Sequence, residues 1–194
     1  QIFIFLYLRI KKMKITKTNI DGLIIVEPQI FKDDRGSFFE SWNVKKFQEI
    51  GIKDHFVQDN QSSSSKGVLR GLHFQNPPYA QAKLVRVIRG SVLDVAVDLR
   101  SNSSTYGKHC SIVLSDKNLK SFYIPKGFAH GFVVLEDDTI FSYKCSDMYN
   151  KEFEGCLMWN DKDLGIDWNV SNPIISPKDM QGLHFKDFKS KFND

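Results

Sequence analysis

Cysteine is scarce in this chain: only Cys110, Cys145 and Cys156 among 194 residues. Three cannot all pair with one another, and no C-x-x-C spacing marks a zinc or redox site. Cys145 and Cys156 lie in apolar, strand-like runs, so buried reduced thiols in a cytoplasmic protein are the expectation. An excess of one charge sign is also missing. Lys+Arg 27 against Asp+Glu 23 leaves +4, scattered along the chain. With no basic helix and no aromatic-interleaved basic run, nucleic acid is excluded as a partner. The small excess fits a solvated surface, or an anionic small molecule such as a phosphate ester.

No apolar run is long enough for a membrane. Ile2 to Leu8 falls far short of the ~20 residues a span needs. Its charges, Arg9, Lys11 and Lys12, follow the run and no small-residue cleavage site appears, so it does not read as a signal peptide. Met13 opens a second start, Met13-Lys14-Ile15-Thr16. Residues 1–12 therefore read as an upstream extension, or as an edge strand packed on the barrel or on a partner subunit. There is no internal repeat and no linker, which leaves residues 13–194 as a single domain. Ser62-Ser63-Ser64-Ser65-Lys66-Gly67 reads as a flexible loop.

What is present favours β structure. Phe alone contributes 16 residues, and aromatics suit strands and apolar pockets. One short helix is expected from Val44 to Ile50, capped by Asn43 and stopped by Gly51. Strands are expected at Leu23–Val26, Ser37–Glu40, Lys83–Ile88, Val92–Leu99, His109–Leu114, Ser121–Ile124, His130–Leu135, Thr139–Ser146 and Gly155–Trp159. Arg89-Gly90-Ser91 looks like a hairpin turn joining the third and fourth of these. In Val92–Leu99 the residues Leu93, Val95, Val97 and Leu99 share one face and Asp94 and Asp98 the other, the half-buried pattern of period two. Turn signals recur at the spacing of sandwiches and barrels. The fold class is all-β, a barrel or jelly roll with a few short helices.

Two histidines stand inside this pattern, His73 in Arg70-Gly71-Leu72-His73-Phe74-Gln75 and His130 in Pro125-Lys126-Gly127-Phe128-Ala129-His130. A histidine facing the inside of a small barrel is a metal ligand or a proton-transfer group. For metal the set is incomplete, because the neighbour of His73 at i+2 is Gln75 and His55, His109 and His184 lie apart. For proton transfer next to a carbonyl the parts exist. His73 is the candidate base, and Asp179 is one option for the group that orients it. Tyr143, on a strand face with Phe141 and Cys145, suits the opposing acid. Lys83, on a face with Val85 and Val87, suits an enolate oxygen. Each residue also has a plainer role open to it: a satisfied core histidine, an ordinary barrel tyrosine, a lysine that snorkels out. Arg70 poses a geometric difficulty. Strict alternation puts it on the face opposite His73, so both reach one ligand only if Gly71 bends or bulges the strand.

Seven separated motifs then agree with one family. They are Asp34-Arg35-Gly36-Ser37-Phe38-Phe39-Glu40, Phe56-Val57-Gln58-Asp59-Asn60, Val68-Leu69-Arg70-Gly71-Leu72-His73-Phe74-Gln75 and Gln81-Ala82-Lys83-Leu84-Val85-Arg86. Later come Ile124-Pro125-Lys126-Gly127-Phe128-Ala129-His130-Gly131-Phe132, Trp159-Asn160-Asp161 and Ser176-Pro177-Lys178-Asp179. From about Leu23 to Asp179 the chain resembles the dTDP-4-dehydrorhamnose 3,5-epimerases of the cupin superfamily. The resemblance implies a double-stranded β-helix (jelly roll), free of metal and cofactor, working in the cytoplasm as a homodimer on a dTDP-sugar. It implies His73 as base oriented by Asp179, Tyr143 as acid, and Lys83 at the enolate oxygen. Arg70 and His130 would bind near the diphosphate and sugar, and Gln58, Asp59 and Asn60 near the nucleotide. Arg35 and Glu40 would reach in from the partner subunit. Glu154 and Lys178 match further binding positions, and Phe31 and Tyr149 match aromatics that stack on the base. Two stretches depart from the family pattern, the stiff Asn76-Pro77-Pro78-Tyr79 loop beside His73 and the short Lys-rich tail after Asp179.

Overall fold

The computed structural model describes residues 13–193. The stretch Ile2 to Leu8, with its two readings, lies outside them. Strands β1 (Lys14–Lys17) and β2 (Ile24–Glu27) open the described chain. A two-stranded ribbon, β3 (Phe31–Asp33) and β4 (Gly36–Phe38), and helix α1 (Val44–Glu49) follow. Then come β5 (Gln58–Ser64), β6 (Val68–Gln75), β7 (Lys83–Arg89), β8 (Ser91–Asp98), β9 (His109–Ser115) and β10 (Ser121–Ile124). The last strands are β11 (Phe128–Val134), β12 (Thr139–Cys145), β13 (Glu154–Cys156) and β14 (Ile174–Ile175). One six-stranded sheet runs β1-β2-β10-β7-β12-β5, the other runs β13-β6-β11-β8-β9, and β14 pairs with β6. The helix is capped as its sequence requires: the Asn43 side chain accepts from the Lys46 N–H at 3.2 Å, and Gly51 at φ +95° ends it.

Three apolar clusters hold the layers. Between the sheets lie Val85, Val87, Val92, Ala96, Phe122, Phe132 and Phe141. On the outer face of the β6–β11–β8 sheet, Leu69, Leu72, Val95 and Val97 meet Leu164, Trp168 and Phe192 of the C-terminal segment. On the outer face of the other sheet, Val26, Leu84 and Tyr123 meet Phe47 of α1 and Ile52. Asp161 secures the C-terminal cover by accepting the N–H groups of Phe185 (2.7 Å) and Asp163 (2.8 Å). Trp168 adds its indole N–H to the Trp159 carbonyl at 2.8 Å.

Three expectations are corrected by this arrangement. β7 and β8 do not form a hairpin. Both are buried strands that need neighbours on each side, so β7 sits between β10 and β12 and β8 between β11 and β9. Arg89-Gly90-Ser91 carries the chain from one sheet to the other, with Gly90 at φ +80°. The solvent face expected for Asp94 and Asp98 is absent, because every residue of β8 is buried. The C-terminal segment covers the Leu93 face, and the Asp94 face looks between the sheets with Val92 and Ala96. The serine run is no flexible loop: Ser62, Ser63 and Ser64 pair with Phe141, Ile140 and Thr139 in β5. Backbone pairing with β12 holds them, whatever their polarity.

At Gly71 the register of β6 slips. His130 pairs with His73 and Phe132 with Arg70, so two steps on β11 face three on β6. This extra residue is the bulge that lets Arg70 and His73 share a side. Gly71 has φ +132°, and a Cβ there would lie 2.5 Å from Gly131 Cα and 2.9 Å from the His130 carbonyl oxygen. Only hydrogen fits on either strand. Deeper between the sheets, the His130 imidazole Nε2 lies 3.0 and 3.1 Å from the two carboxylate oxygens of Asp94. Burial pushes the His130 imidazole below its ordinary value, and the Asp94 carboxylate only partly offsets this.

Gly71→Ala combines left-handed backbone strain with a clash against backbone, and is expected to cost about 2–4 kcal/mol in urea unfolding. Gly67→Ala, at φ +85° in open space, should cost only about 1 kcal/mol; equal losses would overturn the close-approach account. A second expectation concerns acid. Because the folded-state value of His130 lies below the unfolded 6.5, the unfolded chain takes up this proton first. That contribution therefore erodes stability as pH falls below 6.5, and is absent above it. Urea midpoints at pH 7.5 and 5.5 should differ less for His130→Gln than for the parent chain. An unchanged difference would remove His130 from the acid response.

Candidate active site

The bulge places His73 on the cavity between the sheets. Its Nε2 lies 2.8 Å from Asp179 Oδ1. The N–H of Gly71, freed from the strand ladder by the bulge, donates to Asp179 Oδ2 at 3.2 Å, and the Asp179 N–H donates to Ser176 Oγ at 3.1 Å. Asp179 begins a 3-10 turn, Asp179–Gln181, and is itself buried. Burial alone would raise its carboxyl, but the hydrogen bond and charge of His73 and the Gly71 N–H outweigh it and hold the group below the usual range. With Nε2–H donating to that carboxylate, the ring's lone pair stands on Nδ1, which has no hydrogen-bond partner among the described residues. A fixed tautomer with one open lone pair is what a general base requires.

Tyr143 and Lys83 approach from the other sheet. One cavity of about 270 Å³ is lined by Asn60, Arg70, His73, Lys83, His130 and Tyr143, among others. A neighbouring cavity of about 360 Å³ shares Asn60, His73, Lys83 and Tyr143, and extends to Gln58, Gln75, Cys145, Tyr149 and Glu154. Burial raises the Tyr143 phenol, keeping it protonated and able to donate. Lys83 is only 9% exposed and has no salt bridge among the described residues. Burial pushes its ammonium down, with Cys145, Asp94 and Glu154 pulling back. An unpaired buried ammonium costs several kcal/mol, so an anion in the cavity is the partner this geometry leaves open.

The far end of the site is a hydrogen-bonded rim. Glu154 Oε2 accepts from Lys178 Nζ at 2.6 Å and from the Tyr149 hydroxyl at 2.9 Å. The Gln58 carboxamide accepts the Tyr149 N–H at 2.9 Å and donates to Asn60 Oδ1 at 3.1 Å. Arg70 reaches Ser64 Oγ at 3.3 Å. Thus His73, Asp179, Tyr143, Lys83, Arg70, His130, Gln58, Asn60, Glu154, Tyr149 and Lys178 form one neighbourhood.

Four expected residues stand elsewhere. Asp59 falls on the opposite face of β5, where its carboxylate pairs with Lys144 at 2.8 Å; alternation along the strand forces this once Gln58 and Asn60 face the cavity. Arg35 closes the β3–β4 ribbon against Asp33, with its side chain 90% exposed. Glu40 pairs with Lys46 and accepts from Asn43. Together with Phe31 it lines a separate hollow of about 280 Å³ beside α1.

Two residues of this neighbourhood escaped the sequence reading. Asp94, which the period-two pattern puts opposite the apolar face, holds His130 inside the barrel. Gln75 was weighed only as a missing metal ligand. Its buried carboxamide donates to the carbonyls of Tyr79 (2.6 Å) and Met148 (3.2 Å) and accepts the Asn150 N–H at 2.7 Å. It thereby ties the Pro77-Pro78 loop to the loop carrying Tyr149. A polar residue on an otherwise apolar strand was the available signal in both cases.

Comparison with known proteins places this geometry. The family model described as dTDP-4-dehydrorhamnose 3,5-epimerase matches residues 17–187. The chain is 52% identical over 171 residues to an enzyme of that name from Methanothermobacter thermautotrophicus, covering 87% of this chain and 92% of the relative. It is similar to the crystal structure of the Elizabethkingia anophelis enzyme of the same name, with TM-score 0.87 and 54% identity over 91% of this chain and 98% of that one. It is also similar to the Legionella pneumophila dTDP-6-deoxy-D-glucose-3,5-epimerase, solved in complex with dTDP-4-keto-L-rhamnose. There the TM-score is 0.88 and the identity 47%, over 91% of this chain and 95% of that one. The two-sheet β fold, the ordered motifs and these matches lead to one conclusion: the chain belongs to the dTDP-4-dehydrorhamnose 3,5-epimerase family.

Proposed function

We propose that this chain inverts carbon 3 and carbon 5 of dTDP-4-keto-6-deoxyglucose, giving dTDP-4-keto-L-rhamnose for dTDP-L-rhamnose biosynthesis. The observation that carries the reading is His73, paired with Asp179, on one cavity with Tyr143 and Lys83 from the facing sheet. The carbonyl at carbon 4 acidifies the protons at its neighbours. His73 Nδ1 removes one, and the imidazolium that forms is stabilised by the Asp179 carboxylate. Negative charge then moves to the carbonyl oxygen, where Lys83 donates to it. Tyr143 delivers a proton to the opposite face and is reprotonated from solvent, to which the His73 imidazolium gives up the proton it took. Turning the ring between steps lets the same pair invert the second centre. No redox group is needed, because every step moves only a proton.

The homodimer and the cytoplasmic setting belong to the same reading. Phe31 and Phe38 project from the ribbon, 49% and 65% exposed, with ring centroids 6.3 Å apart. Their ribbon also carries Arg35, which does not reach the cavity of its own chain. A second copy of the chain is the occupant that would give both aromatics a cover and bring Arg35 and Glu40 to a site. All three cysteines are free, as suits a reducing compartment. No helix among the described residues is long and apolar enough to cross a membrane.

The chemistry is tested by hydrogen exchange in deuterium oxide with dTDP-4-keto-6-deoxyglucose, followed by NMR. Deuterium should enter at carbons 3 and 5, and reduction should give the rhamno configuration. His73→Ala should slow both exchanges by about 10²–10⁴-fold while nucleotide binding survives. Tyr143→Phe should retain exchange on the His73 side and lose inverted product. Exchange at one carbon alone would make the protein a single-centre epimerase, and binding without exchange would make it a non-catalytic sugar-nucleotide protein. The assembly is tested by Phe38→Asp. It should sediment as a monomer with KM raised by about tenfold or more, as loss of a central aromatic contact predicts. A persisting dimer with unaltered KM would reject the ribbon as the interface.

A further inference from the structure

Beside the catalytic pair stands a group that the proton transfers leave idle. Cys156 lies on β13, in register directly across from His73 on β6. Its Sγ, a ring nitrogen of His73 and a carboxylate oxygen of Asp179 all lie within 4.8 Å of one another. Imidazole nitrogen, sulfur and carboxylate oxygen are the donors zinc-type ions take, at ~2.0–2.3 Å from the metal. Tetrahedral angles then set donor atoms roughly 3.3–3.6 Å apart, a spacing inside the 4.8 Å that contains all three. His73 Nε2 and Asp179 Oδ1, now at 2.8 Å, would part by roughly half an ångström.

The surroundings fit a ligand set as well. Asp179 is pinned through its other oxygen by the Gly71 N–H at 3.2 Å, which leaves Oδ1 as the oxygen to offer. Backbone groups that orient metal ligands in this way make up the usual outer shell. His73 and Cys156 are part-exposed, and His73 borders both cavities. An ion therefore has an entry path and a fourth position open to water.

We propose that His73, Cys156 and Asp179 form a binding site for a thiophilic divalent cation of the zinc and cadmium class, and that the ion shuts the proton transfer off. Binding joins sulfur to the metal and releases the thiol proton to solvent, with no change of oxidation state. It also replaces the Nε2–H donor to Asp179, so the tautomer that leaves Nδ1 free is lost. Only the inhibition rests on the function proposed above; the binding does not.

The probe is cadmium alone, in equilibrium dialysis of the full chain with metal analysis and ultraviolet detection of the sulfur-to-cadmium charge-transfer band. The parent chain should take up one ion per chain. Cys156→Ser should bind at least about 100-fold more weakly, the upper end of what outer-shell changes alone cost, and Cys110→Ser should bind as the parent does. If Cys156→Ser does not match the parent's thermal unfolding, Cys156→Ala takes its place. Deuterium exchange should stop at one equivalent of cadmium in the parent, and persist in Cys156→Ser at whatever rate that variant has without metal. No stoichiometric uptake, or equal uptake by the Cys156 variant, overturns the site. Stoichiometric uptake with undiminished exchange leaves the site standing and overturns His73 as the base.

Discussion

One close approach between two backbones governs the active site. Gly71 and Gly131 face each other where β6 and β11 pair, and neither position has room for a Cβ. The extra residue on β6 that this contact accommodates has two effects at once. It turns Arg70 and His73 toward the same cavity, and it takes the Gly71 N–H out of the ladder. A buried N–H without a partner costs about 1–3 kcal/mol; here Asp179 accepts it. The carboxylate that holds the His73 ring is thus fixed by the same irregularity that turns His73 to the cavity. Strand geometry and acid–base geometry are set together, and a regular β6 would supply neither.

The polar interior depends in turn on where the apolar mass has been put. Lys83, Asp94 and His130 all sit within the barrel, each nine-tenths or more buried. Desolvating the charges of Lys83 and Asp94 costs several kcal/mol apiece, and His130 escapes that cost only by staying neutral. A single inter-sheet core could scarcely carry that load, since a fully buried Leu or Phe contributes only about 1.5–3 kcal/mol. This chain has two further cores, on the outer faces of both sheets, built from Leu69, Leu72, Val95, Val97, Trp168 and Phe192 on one side and Val26, Phe47, Ile52 and Leu84 on the other. Their many large side chains offset what the interior loses. The C-terminal segment, whose Lys178 and Asp179 reach the neighbourhood of the cavity, is in this sense a condition of it.

The same arrangement decides what could be read from the sequence. The expected strands came through, because alternation and Gly turns are local: Ser121–Ile124 agrees residue for residue, most others shift by one or two, and Gly155–Trp159 runs three too far. Strands β1, β3, β5 and β14 carry too little pattern to be expected. Facing did not come through. In Val92–Leu99 the period-two pattern predicts one buried face, yet a strand covered on both sides has two, and only the distant C-terminal segment decides which of them meets the barrel. Asp94 was lost to the site for that reason. The supposed hairpin at Gly90 failed similarly, since a tight turn reports a change of direction and not the sheet that receives the next strand. Ser62 to Ser64 show the complementary error, in which composition was weighed where backbone pairing rules.

Of the site itself, the residues with unusual chemistry for their strand were legible one by one: a histidine, a lysine and a tyrosine on apolar faces. Their convergence was not. His73 and Asp179 are joined by a 2.8 Å contact across 106 residues, a separation at which no periodicity carries information. Family resemblance bridged that gap for most positions, and the fold then sorted them. Gln58 and Asn60 face the cavity, so Asp59 between them faces away, whatever its motif suggests. Arg35, Glu40 and Phe31 sit on a ribbon and hollow apart from the cavity of their own chain. A single chain's geometry can bring together only what one chain folds around, and these three positions lie outside what this chain folds around its cavity.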